Sequence, residues 1–106
     1  MTDISAIQTY ASRVASEIKP LKIILFGSYA NGHPGPDSDV DLLVIMPPRE
    51  RSVYESTRIQ IKFPAPFPLD LLVRSPEKVR ERIALGDCFL RDIVTQGHVL
   101  YESADA

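Results

Sequence analysis

An α/β fold, with a mostly antiparallel or mixed sheet of three to four strands covered by helices, is what the sequence predicts. Three observations carry it. Apolar residues recur at helical spacing through Ile4, Ile7, Ala11, Val14, Ala15 and Ile18. Three apolar runs of strand length place strands near 22–27, 39–46 and 69–74. Two more helical patterns, one through Val79 and Ile83, the other through Phe89, Leu90, Ile93 and Val94, provide further cover.

The first helix has Thr2 or Asp3 as a cap and Pro20 as a stop. Ile23 to Phe26 reads as a buried strand, and Gly27 ends it where a side chain would obstruct something. Ser28 is placed to cap a following turn of helix, whose free N–H groups suit phosphate oxygens. Asn31 to Pro36 is dense in turn formers and forms an exposed loop back to the sheet. The second strand starts at or near Asp39 and closes at Pro47 and Pro48. Residues 50–57 read as helix, whereas Arg58 to Phe63 alternates with a strand period. Phe63 to Pro68 is a stiff, proline-rich connector. Ser75 caps the next helix, with Pro76 in its first turn. Gly86 breaks it, Gly97 ends the helix after that, and Val99 to Tyr101 is a short final strand.

With 106 residues, 44% of them hydrophobic and 25% charged, the chain is expected to form one domain with one core. Its net charge of −2 is spread thinly, with lysines and arginines scattered, so no footprint for a long nucleic acid is visible. A single cysteine, Cys88, excludes an internal disulfide and reads as a buried thiol. No apolar N-terminal stretch resembles a signal peptide or membrane span, so the cytoplasm is the expected compartment.

The chemistry lies in three carboxylates. Asp39 and Asp41, one residue apart in a strand, point to the same face with Cα atoms about 6.6 Å apart. Such a pair repels itself but suits an oxygen-loving divalent ion such as Mg²⁺. Asp70 stands alone in the apolar run Leu69 to Val73, where a charge is costly unless it pairs or binds a metal. If that run lies beside the Asp39/Asp41 strand, three carboxylates converge opposite Gly27 and Ser28, which describes two-metal phosphoryl or nucleotidyl transfer. His33 and His98 are assigned no role.

Gly27-Ser28, ten residues, Asp39-Val40-Asp41 and then Asp70 in a third strand resemble the nucleotidyltransferase superfamily of DNA polymerase beta. The short chain looks like a minimal nucleotidyltransferase, similar to the antitoxins of HEPN-domain toxins. The resemblance implies a polymerase beta-like fold and transfer of AMP from ATP, or NMP from another NTP, to a hydroxyl on a partner HEPN toxin. It also implies two Mg²⁺ ions on Asp39, Asp41 and Asp70, with Gly27 and Ser28 at the nucleotide phosphates. The rival readings are an inactive domain that neutralises a toxin by contact alone, and nucleotidylation of a small molecule such as an aminoglycoside.

Overall fold

The computed structural model describes residues 2–47 and 52–104 of the chain. In order, the elements are α1 (Ile4–Ile18), β1 (Lys22–Phe26), α2 (Ser28–Asn31), β2 (Val40–Ile45), α3 (Ser52–Lys62), β3 (Leu69–Arg74), α4 (Pro76–Ala84), α5 (Cys88–Gln96) and β4 (His98–Glu102). The four strands form one mixed sheet in the order β3-β2-β1-β4. β1 is antiparallel to both β2 and β4, while β2 and β3 run parallel with Asp41 opposite Asp70.

Strand alternation divides the apolar residues between two faces. Ile23, Leu25, Val40, Leu42, Val44, Leu71 and Val73 face α1 and α3, which bring Ile7, Tyr10, Ala11, Val14 and Ile59. Ile24, Phe26, Leu43 and Ile45 face α4 and α5, which bring Val79, Leu90 and Ile93. β2 sits between neighbours and under helices on both sides, so Val40 and Leu42 to Met46 are all buried. A run of that kind has no polar alternation because it has no solvated face.

Local chemistry sets the helix ends. Asp3 caps α1 by accepting from the Ser5 N–H, and Lys19 closes it in the left-handed region at φ 53°. Ser75 accepts from the Lys78 N–H, with Pro76 in the first turn, and Asp87 accepts from the Leu90 N–H. Those N–H groups have no partner inside the helix, so each cap satisfies a donor that folding would otherwise leave bare.

Several expectations change. The alternating segment from Arg58 is helical to Lys62: Ile59 and Phe63 lie four apart on the buried side of α3, while Ile61 is 75% exposed. Both periods place Ile59 and Phe63 on one side, and burial of that pair selects the helix. Cys88 is exposed at the first turn of α5, not buried, and its thiol donates to the Gly86 carbonyl. Phe89 and Ile4, expected on core faces, are 56% and 54% exposed. Pro48, Arg49, Glu50 and Arg51, read as strand end and helix start, lie outside the described residues.

Candidate active site

The site forms where β1 ends and β2 and β3 begin. Gly27 leaves β1 with φ 75° and ψ −153°, a conformation that L side chains resist. A Cβ there would collide with the Asp41 carboxylate, so the absence of a side chain lets that carboxylate lie against the backbone. Gly27 is the N-cap of α2, and no side chain caps this four-residue turn. Ser28 is therefore its first helical residue and not the cap expected, and its hydroxyl is left out of the turn. Tyr29 fixes the turn: it is buried in the α1 cluster, and its phenol oxygen accepts from the Thr2 N–H at 2.9 Å.

The loop back to β2 is held by a tight turn in which the Gly35 N–H donates to the Ser38 hydroxyl at 2.8 Å and the Ser38 N–H donates to the Gly35 carbonyl at 3.2 Å. Asp39 follows directly and is exposed one residue before β2. The Val40 N–H donates to the Pro68 carbonyl at 2.9 Å, which aligns the starts of β2 and β3. Asp41 then faces the α4/α5 side, in line with Leu43 and Ile45 but beyond their cover, and Asp70 stands beside it in register. Adjacent strands are about 4.8 Å apart, so the two carboxylates are neighbours.

Electrostatics link all three. The Asp41 carboxyl is held above the usual carboxylate range, first by burial, then by the charge of Asp70, then by that of Asp39. Burial leads, and the two neighbouring carboxylates add to it. Asp70 differs from expectation in one respect: β3 is an edge strand and Asp70 is exposed, so its flanking leucines do not bury it. Nor does Arg74 neutralise it, since that guanidinium donates to the Val73 carbonyl at 2.8 Å. Among the described residues no group of three or more His, Cys, Asp or Glu side chains is placed to hold a metal ion by itself. The carboxylates are instead an open cluster of oxygen donors with unneutralised mutual repulsion. Carboxylate oxygens are the ligand type that a hard divalent cation takes, and here phosphate oxygens and water would have to complete its shell. His33 and His98 are both exposed.

One feature had no signal in the helical pattern alone. Phe89 packs edge-to-face on Phe26, with ring centroids 5.7 Å apart, and Phe26 is the strand partner of Asp41. An exposed aromatic thus stands against the strand partner of Asp41. Around Phe26, Gly27, Asn31 and Phe89 lies an open cleft of about 250 Å³.

A sequence model of the family described as nucleotidyltransferase domain matches residues 7–101, and the chain belongs to that family; it is a transferase. It is 30% identical over 104 residues to a candidate protein adenylyltransferase of Methanocaldococcus jannaschii, covering 95% of this chain and 100% of that protein. Among solved structures it resembles a candidate nucleotidyltransferase from Sulfolobus solfataricus, with a TM-score of 0.63 and 20% identity over 92% of this chain and 78% of that one. It also resembles a chain in a toxin–antitoxin complex with AMP-PNP, with a TM-score of 0.58 and 20% identity over 92% of this chain and 75% of that one. Among the described residues no helix is long and apolar enough to cross a membrane.

Proposed function

We propose that this minimal nucleotidyltransferase domain transfers AMP from ATP to a hydroxyl of a partner protein, and that it acts as the antitoxin of a HEPN-domain toxin in the cytoplasm. The observation that carries the catalytic part is the placement of Asp41 opposite Asp70 on adjacent strands, with Asp39 just before them and a glycine whose missing side chain makes room for the Asp41 carboxylate. The protein target is supported by the adenylyltransferase relative and the toxin–antitoxin likeness.

Two Mg²⁺ ions would be held by Asp39, Asp41 and Asp70, where they offset the charge of a triphosphate and lower the pKa of an attacking hydroxyl. Gly27 admits the nucleotide phosphates close to the backbone, and Ser28, with a hydroxyl not spent on capping, donates to their oxygens. Asp70, exposed on the edge strand, faces the side from which an acceptor can approach, and takes the proton of its hydroxyl. That oxygen attacks the α-phosphorus in line, the bond to the β-phosphate oxygen breaks, and pyrophosphate leaves.

Calorimetric titration with ATP tests the reading. Binding is expected with Mg²⁺ and strongly weakened in EDTA, because the carboxylates and the triphosphate then oppose each other with like charge. Equal affinity in both buffers contradicts the metal role.

A further inference from the structure

The face that carries Asp41 and Asp70 continues along β3 into a second cleft, of about 290 Å³. Leu72, two residues beyond Asp70 on the same face, lies at its near end, and Phe89 forms a wall. Three cations line it, Arg74 from the end of β3 and Lys78 and Arg82 from one side of α4. Lys78 and Arg82 lie four apart on α4, one turn of helix, and Arg74 lies just before that helix, so the fold brings all three to one cleft.

The cleft has one acid, and its charge is already engaged. Asp87 accepts from the Leu90 N–H at 3.0 Å and from the Arg82 Nε at 3.3 Å, which holds its carboxyl below the usual range. Arg74 and Lys78 have no carboxylate partner among the described residues. Lys78 and the remaining N–H groups of Arg74, whose Nη1 already donates to the Val73 carbonyl, are thus left for a ligand, beside an aromatic ring that is 56% exposed. Arginine with aromatic contact is the composition of a protein-binding hot spot. A nucleic acid fits less well, since Asp87 lies inside the cleft and the chain carries a net charge of −2.

We propose that this cleft docks an acidic segment of the acceptor protein, close in sequence to the hydroxyl that is modified. The acceptor half of this inference rests on the adenylyl-transfer reading. Strand geometry puts the Cα of Arg74 about 13 Å from that of Asp70, a span of roughly four extended residues. A Glu or Asp two to four residues from the acceptor would therefore reach the cations while the hydroxyl lies at the carboxylates.

The test uses two fluorescent peptides with one tyrosine each, flanked by glutamates or by lysines, and the whole protein without ATP. The glutamate peptide is expected to bind at least tenfold more tightly at low salt, with the advantage shrinking as salt rises. Lys78→Glu, on the exposed side of a helix, should abolish that preference with ATP affinity unchanged, and Arg74→Gln should weaken it. Equal binding of the two peptides overturns the proposal, as does a Lys78→Glu protein that keeps the preference. Tighter binding of a fluorescent oligoribonucleotide makes the cleft a nucleic-acid site, and loss of ATP affinity in Lys78→Glu makes it part of the nucleotide site; either also overturns it. Because peptide binding is read without chemistry, failure of AMP transfer sinks the catalytic reading and leaves this result standing.

Discussion

Gly27 and Asp41 compete for one volume, and the site exists because the glycine gives way. Gly27→Ala places a methyl group against the Asp41 carboxylate in a backbone region costing of order 1–3 kcal/mol for a non-glycine residue. ATP affinity should fall more than tenfold and the melting temperature should drop, both read from one purified variant by calorimetry and circular dichroism. Asp70→Asn separates binding from chemistry: AMP transfer should be lost while the fold persists and ATP still binds. An active Asp70→Asn protein would remove the third carboxylate from the mechanism. Asp70 was legible in the sequence because it stands out against apolar neighbours, and Asp39 and Asp41 because their one-residue spacing opens an apolar strand. What the sequence obscured was exposure, since two leucines beside Asp70 cannot reveal that its strand is at the edge.

Elements were legible wherever one signal dominated. The caps at Asp3 and Ser75 and the stops at Pro20 and Gly97 lie close to where their side chains and backbone dictate. Residues 58–63 were not, because Ile59 and Phe63 fit both periods and only their packing on β3 distinguishes them. Ile59 is 1% exposed, so Ile59→Ala should cost about 2–5 kcal/mol, measured by urea unfolding. Ile61→Ala, on the exposed side of the same helix, should leave the midpoint almost unchanged; equal losses would mean that α3 is placed wrongly. The α5 cap has a pH dependence of definite sign. Asp87 has its carboxyl depressed, chiefly by the Leu90 N–H, so its contribution to stability is present above the ordinary value of 3.8 and fades as pH falls through the lower, folded value. Asp87→Ala should therefore melt below the wild type at neutral pH, and the difference should shrink as the pH falls below 3.8 and through the lower, folded value. A difference that survives in acid would assign the effect to packing and not to charge.

At the scale of the whole molecule, the sheet gathers what the chain keeps apart. Residues 27, 41 and 70 meet because β1 runs antiparallel to β2 and β3 runs parallel to it, so one strand end and two strand starts share a rim. The ordered spacing of Gly27-Ser28, Asp39-Val40-Asp41 and Asp70 made that rim readable in advance. The Phe26–Phe89 contact was not readable, because it depends on how α5 lies over the sheet and no local pattern encodes that. The account stands or falls on AMP reaching a partner protein through these carboxylates. The decisive measurement is the intact mass of a HEPN-domain toxin supplied as the acceptor, after incubation with the protein, ATP and Mg²⁺. One or more AMP additions on the toxin, lost with Asp39→Ala and in EDTA, is the predicted result; an unmodified toxin that is neutralised equally well by wild type and Asp39→Ala would contradict it.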